Sequence, residues 1–277
     1  MVLGVIGLGL MGGSLALAAK KSGVASRVVG YDARLDHCNE ALKRKLVDEI
    51  VEHSELLRCD IVILAIPVEA IKEWLSNLTE LPETTTIIDL GSTKEEIIAS
   101  IPTHFRANFV AAHPMTGTEF SGPAAAFETL YSGKTVVLCN LDESGPLHKE
   151  RALLLFQALQ MRIIEMGAHE HDRHAAFISH LPHILSYSLA NTVLEQEDRG
   201  AILALAAGGF RDMSRLAKSS PEMWRDIFKQ NKENLLKSID YFEKHLAYAR
   251  MLTEEERWED LKVWMEEAGE LHKLFDR

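Results

Sequence analysis

Apolar residues are distributed along this chain in two ways. Up to about residue 166 they come as short runs separated by helix-periodic stretches. Val2, Leu3, Val5 and Ile6 form the first run, and an apolar helix-forming stretch follows from Ser14 to Ala19. Residues 27–32 read as a second strand, 39–46 as a helix, and 59–67 as a continuous apolar run stopped by Pro67. Such a run suits a strand buried on both faces of a parallel sheet. Helix 68–78, the strand and turn 84–92, helix 94–100 and strand 109–114 continue the alternation. Two more strands, 134–139 and 162–165, flank a helix over 147–159. Strands alternating with helices predict an α/β, Rossmann-type doubly wound sheet that is mostly parallel.

From Gly167 the strand pattern stops. Residues 175–195, 201–206, 210–218 and 221–252 all read as helix. Ser220-Pro221-Glu222 supplies a hydroxyl N-cap, a proline at the first position and an acid in the first turn. Residues 253–277 are Glu-rich with Trp258, Leu261, Trp264 and Leu271 interspersed, as in an amphipathic helix. The expected organisation is a nucleotide-binding domain over 1–166 and an all-α domain over 167–277. Long apolar helices of this kind pair with a second copy, so a homodimer is expected.

The first strand runs directly into Gly7-Leu8-Gly9-Leu10-Met11-Gly12. Strand, glycine turn and helix is the order a dinucleotide phosphate site requires. Gly7 permits the turn, Gly9 lets backbone approach a pyrophosphate, and Gly12 lets helix pack on strand. The helix N-terminus then faces the anion with unpaired N–H groups. Asp32 lies twenty residues beyond Gly12, where a carboxylate accepts from ribose hydroxyls and repels a 2′-phosphate. That favours NAD over NADP, with Arg34 as the one nearby cation that could pair with such a phosphate.

Composition narrows the function classes. The net charge of −11 over 277 residues argues against a nucleic-acid surface, which needs clustered Lys and Arg. No apolar run reaches ~18 residues, so no membrane span is expected. Met1 leads into a strand without a basic segment, so no signal peptide is expected. Cys38, Cys59 and Cys139 are scattered, as in reduced cytoplasmic thiols.

Ligands of open α/β sheets bind beyond the carboxyl ends of the strands, which singles out Pro67, Ser92 and His113. Ser92, at a strand-to-helix turn, is a polar site group or an N-cap. His113 is placed for general base work, since an unperturbed histidine titrates near ~6.5. In the helical part, His180 and His183 lie three apart around Pro182 and share a face. With His169, His171 and His174 they fit no common zinc spacing, and no metal site is expected. Arg211, Arg215 and Lys218 fall at i, i+4 and i+7, a local cationic face suited to a carboxylate.

Together, GLGLMGGS at the amino terminus, the Gly91-Ser92 turn, HPMTGTEFSG at 113–122, SHLPH at 179–183 and GGFRDMSRLAKSSPEMWRDI at 208–227 resemble the prephenate dehydrogenase family. The resemblance spans nearly the whole chain in order. It implies a Rossmann-type NAD(P) domain, an all-helical dimerisation domain, and oxidative decarboxylation of prephenate to 4-hydroxyphenylpyruvate. His113 resembles the family histidine that helps remove the substrate hydroxyl proton, and Ser92 the serine beside it. Arg215 resembles the arginine that binds a substrate carboxylate. His183, Gly208 and Trp224 resemble pocket residues, and Glu119 an acid at the pocket mouth. The segment after Met251 is too short for a regulatory domain or a fused mutase, so neither is expected. Three rivals stand beside this reading. An arogenate or dual-substrate cyclohexadienyl dehydrogenase would share every motif. A β-hydroxyacid dehydrogenase would place a catalytic lysine where this chain has SHLPH. An NAD-binding dimer without catalysis leaves His113 and Arg215 unexplained.

Overall fold

Alternate residues of the apolar runs go to opposite faces of one sheet. Ile61 and Ile63 pack in one core, while Val62 and Leu64 pack in the other. Burial on both faces is why these segments carry no polar alternation. The computed structural model describes residues 1–275. Among them eight strands form the sheet: β1 (Val2–Ile6), β2 (Arg27–Tyr31), β3 (Glu49–Ile50), β4 (Ile61–Leu64), β5 (Thr86–Asp89), β6 (Phe109–Pro114), β7 (Thr135–Cys139) and β8 (Arg162–Met166). Their order is β3-β2-β1-β4-β5-β6-β7-β8. All neighbours pair in parallel except β6 and β7, where His113 lies opposite Val137. The order reverses between β1 and β4, and ligands of such sheets sit in the crevice beyond that point.

Several boundaries differ from the sequence reading. β3 has only two residues, too few for a period-2 pattern to register. The helix expected over 39–46 is Leu35–Lys43. Its first residue is 75% exposed, so no apolar phase marked its start, and Lys45 at φ 57° closes it. The helix expected to begin at 175 begins at Ala168 and contains a π-helical turn at Ala176–His180, directly before Leu181–Leu194. Pro182 has no N–H to donate, and the widened turn precedes it. The expected helix 210–218 is α-helical over Gly208–Ser214 and a 3₁₀ turn over Arg215–Lys218, so its three cations do not share one α-helical face. The stretch 221–252 breaks at Asn231 into Pro221–Gln230 and Lys232–Glu254, and the Asn231 side chain donates to Asp172 O at 2.7 Å. The C-terminal stretch is two helices, Trp258–Gly269 and His272–Phe275, and positions 276 and 277 of that expected helix lie outside the described residues.

β8 ends at Met166, and every described element after it is helical. The compact units divide later, into Met1–Asn231 and a second unit from Lys232 onward. The first unit extends so far because the helical segment packs on the sheet: Ala168, Trp224 and Ile227 join the core of its second face. The second unit exposes Leu236, Tyr241, Leu246, Trp258, Val263 and Met265. That much exposed apolar surface marks an interaction face. The three cysteines are buried and free. No described helix is long and apolar enough to cross a membrane.

The glycine turn follows from close approach. Gly7 has φ 93°, and a Cβ at Gly12 would strike the Gly7 carbonyl oxygen and come within 2.9 Å of Val5 Cγ1. Backbone cannot yield as a flexible side chain does. Gly12→Ala is therefore expected to lower the unfolding free energy by ~1–3 kcal/mol. An unchanged urea midpoint would show that the turn yields instead.

Candidate active site

The glycine turn is fixed by its neighbours before any ligand arrives. Gly7 N donates to Tyr31 O at 2.8 Å, and Tyr131 donates to Met11 O at 2.8 Å. The Asp32 carboxylate accepts from Leu8 N at 2.8 Å and from Arg34 N at 2.9 Å, so the acid at the end of β2 also braces the turn. Leu10, Met11 and Gly12 open the helix Leu10–Lys21, while a Cβ at Gly9 would meet only Gly122 N, at 4.0 Å. Pro67 stands at the start of the helix Val68–Ser76, beyond β4. Arg34 is occupied: its guanidinium makes two bonds to Asp36, at 3.1 and 2.6 Å.

A second cluster lies at the ends of β5 and β6. His113 is buried, and its Nδ1 is 2.8 Å from Nε2 of His171. Nδ1 of His171 is 2.8 Å from Oδ1 of Asp172. The same carboxylate accepts the backbone N–H groups of Lys94 at 2.8 Å and Glu95 at 2.9 Å. It thus caps the helix Glu95–Ser100 from another part of the chain, and Ser92 is not the N-cap. The half-buried Ser92 hydroxyl makes no hydrogen bond among the described residues. Lys94 is fully buried, with its ammonium against the equally buried Asp89 carboxylate and donating to Ala112 O at 2.7 Å.

Burial, then His171 and the Lys94 ammonium, depress the His113 pKa well below that of a free histidine. His113 is therefore neutral and able to accept a proton. Burial alone would raise the Asp172 carboxyl, but bonds from His171, Glu95 N and Lys94 N bring it below the usual carboxylate range. It is ionised.

The helical part adds an aromatic wall. Trp224 is buried, with His183 stacked on it at 3.5 Å and His180 edge-on at 6.0 Å. Nδ1 of His183 lies 2.9 Å from Ser179 O, so Nε2 is its remaining polar atom. The His183 pKa is lowered, by burial first, with the Arg215 guanidinium adding to the effect; the turn Arg215–Lys218 is tied to the His183 helix by the Ala217 N–H bond to Ser186 Oγ at 3.0 Å. Burial also holds His180 neutral, with a pKa of about 4. His180 Nε2 and Trp224 Nε1 have no protein partner among the described residues. Gly208 opens its short helix with no atom near its Cβ position. Glu119 lies exposed on the loop after β6, beside Phe120. Among the described residues no three His, Cys, Asp or Glu side chains form a metal cluster.

The fold thus gathers His113 with His171 and Asp172, and His180 with Trp224 and His183, with Asn231 Nδ2 between the two groups at 2.7 Å from Asp172 O and 3.1 Å from His180 Nδ1, while Glu119 stays on the surface. His171, Asp172, Lys94 and Asp89 belong to the cluster and were not singled out as site residues from the sequence. His171 had appeared only in the discounted metal group. The one local signal was an acid and a lysine flanking Gly91-Ser92-Thr93.

The chain is similar to known proteins over most of its length. Residues 15–165 match the family model described as prephenate dehydrogenase, nucleotide-binding domain, and residues 167–267 match prephenate dehydrogenase, dimerization domain. A prephenate dehydrogenase of Bacillus subtilis is 35% identical over 262 residues, 92% of this chain and 71% of that protein. A cyclohexadienyl dehydrogenase of Zymomonas mobilis is 32% identical over 87% of this chain and 84% of its own. The crystal structure of prephenate dehydrogenase from A. aeolicus, in complex with hydroxyphenyl propionate and NAD+, superposes with a TM-score of 0.91 at 30% identity, covering 98% of this chain and 97% of that one.

The Lys94–Asp89 pair sets a stability expectation. Removing one member of a buried pair leaves the other charge without compensation, a loss of ~3–5 kcal/mol. Lys94→Met should destabilise by that amount in urea unfolding at neutral pH, and Lys94→Met/Asp89→Leu should recover much of it. Equal losses in the single and double variants would show that the pairing is not what matters.

Proposed function

The chain belongs to the prephenate dehydrogenase family, and from that premise we propose how its residues share the work. The reaction is the oxidative decarboxylation of prephenate to 4-hydroxyphenylpyruvate. Bound NAD accepts the hydride that leaves the hydroxyl-bearing ring carbon. The bond to the ring carboxylate breaks as CO2 departs, and its electron pair completes the aromatic ring. Aromatisation drives the step, so the protein's task is to position the reactants and manage one proton.

His113 carries this reading. It is buried, neutral and near the carboxyl end of β6, where a proton acceptor can meet a ligand of the sheet. It draws the ring hydroxyl proton as the hydride leaves and returns it to the phenolic oxygen of the product. Ser92, with its uncommitted hydroxyl, bonds near the same oxygen. Arg215 binds a substrate carboxylate through its planar fork. His183 and Trp224 wall the ring, with the Trp224 N–H as a further donor, and Gly208 leaves room for the substrate. Glu119 stands at the mouth. The turn from Gly7 through Leu8, Gly9, Leu10, Met11 and Gly12 receives the pyrophosphate, Asp32 the ribose hydroxyls, and Pro67 borders the cofactor. Since Asp36 occupies Arg34, we expect NAD to be used in preference to NADP.

The chain is a homodimer, and the exposed apolar face from Lys232 onward is the area we assign to its partner. We place the domain boundary at 166/167, a reading supported by family-model matches over 15–165 and 167–267. We place the protein in the cytoplasm, where its three free cysteines stay reduced. The cyclohexadienyl relative favours arogenate as a second substrate, since the reacting ring is the same.

Initial rates with prephenate and arogenate, each with NAD and NADP, test the assignment. Prephenate with NAD is expected to be fastest, and a large preference for arogenate would overturn the substrate assignment. In the same assay His113→Asn is expected to lower kcat by ~10²–10⁴ with little change in KM, and full turnover would remove His113 from the chemistry. Arg215→Gln is expected to raise KM for prephenate by the ~1.5–3 kcal/mol of a charge-assisted bond. A fall in kcat at unchanged KM would instead place Arg215 at the transition state.

A further inference from the structure

With His171 as the neutral imidazole, the chain Asp172–His171–His113 has one consistent assignment of protons. An ionised carboxylate can only accept, so His171 must donate to it from Nδ1. A neutral imidazole that donates from Nδ1 is an acceptor at Nε2. His171 Nε2 lies 2.8 Å from His113 Nδ1, so His113 must donate there. The Nε2 of His113 is then its bare lone pair. Which nitrogen of a histidine carries the proton is set by the bond that the other makes.

We propose that His171 and Asp172 are positioning residues for the reaction. They hold His113 in the Nδ1–H tautomer, so that its Nε2 is the proton acceptor, and they stabilise the imidazolium formed as the substrate proton arrives. The proposal rests on the reading of His113 as the base. No proton passes along the chain. When His113 Nε2 takes the hydroxyl proton, its Nδ1–H bond to His171 becomes charge-assisted and strengthens. The proton then returns from Nε2 to the product oxygen. Both nitrogens of His171 are committed within the protein, so this residue touches neither substrate nor cofactor. Asp172 is committed as fully, to His171 and to the N–H groups of Lys94 and Glu95. The Asp172 carbonyl is held in turn by Asn231 at 2.7 Å. The ionisable groups around the His113 ring are His171, Lys94 and His180, and beyond them Asp172 and Asp89.

The test compares His171→Leu with His171→Gln. Leucine fills the buried volume with no acceptor, whereas glutamine offers an amide oxygen to His113 Nδ1–H. Leucine is expected to lower kcat ~100-fold, on the scale of a disabled general base, with KM for prephenate and NAD within about twofold. Glutamine is expected to restore at least tenfold of that loss, and the acid limb of the kcat–pH profile should move in the leucine variant and return in the glutamine variant. Asp172→Asn, whose amide can donate to His171 Nδ1 and so reverse its tautomer, should resemble leucine in kcat. Because Asp172 also caps a helix, that variant is compared at matched urea stability. Nitrogen-15 spectra of histidine-labelled protein read the tautomer with no substrate present. His113 should carry its proton on Nδ1 in the wild type and lose that preference in His171→Leu. Equal kcat in the leucine and glutamine variants, wild-type kcat in the leucine variant, or a wild-type His113 protonated on Nε2 would each overturn the proposal. Should the wild type fail to turn over prephenate while the tautomer shift is present, the reaction assignment falls and the positioning dyad stands.

Discussion

One buried carboxylate holds the chemical end of this molecule together. Asp172 accepts from a helix N-terminus that follows β5 and from a histidine on its own helix, and through that histidine it reaches the end of β6. A charge at 2% exposure is tolerable only because each lone pair it needs is met by an N–H. The helical segment is therefore tied to the sheet by hydrogen bonds of fixed direction as well as by apolar contact. Apolar packing is non-directional and would let the two slide. The carboxylate fixes their register, as pre-organised proton transfer requires.

The second buried charge pair serves a different end. Lys94 and Asp89 lie beneath the same cluster, and an ammonium there disfavours any further positive charge. Burial first, then His171 and the Lys94 ammonium, lower the His113 pKa. The cost is borne in stability, since such pairs seldom exceed what a well-packed apolar pair would contribute. The protein keeps charge where an aliphatic core would be firmer, and the gain is a base that is ready at neutral pH.

How much of this was legible in the sequence depended on the range of the interaction. The glycine turn, the strands and Asp32 were legible because their signals are local: a strand, three glycines and an acid at set spacings. His113 was legible from its place at the end of a strand. The β3 strand was not, being two residues long, and the break at Asn231 was not: no glycine or proline marks it, and its side chain bonds to residue 172, 59 positions away. The partners of His113 were invisible for the same reason. Bonds separated by 58, 77 and 78 residues leave no periodicity, and His171 stands in a histidine-rich helix that suggests metal binding as readily as proton chemistry. Ser92 looked like a helix cap because a cap was needed there; Asp172 fills that need from afar and leaves the hydroxyl uncommitted.

The π-helical turn at Ala176–His180 has a consequence for how such a chain can change over time. A π turn holds one residue more than the α-helical turn it replaces, and each α-helical residue advances the side chains by about 100°. His171 and Asp172 lie before this turn, while His183 and the rest of Leu181–Leu194 lie after it. Losing one residue there would rotate one set against the other and take His183 off the face of Trp224. Substitutions can accumulate along this helix, but its length cannot drift: the extra residue is held in place by the two groups of side chains that it keeps in phase.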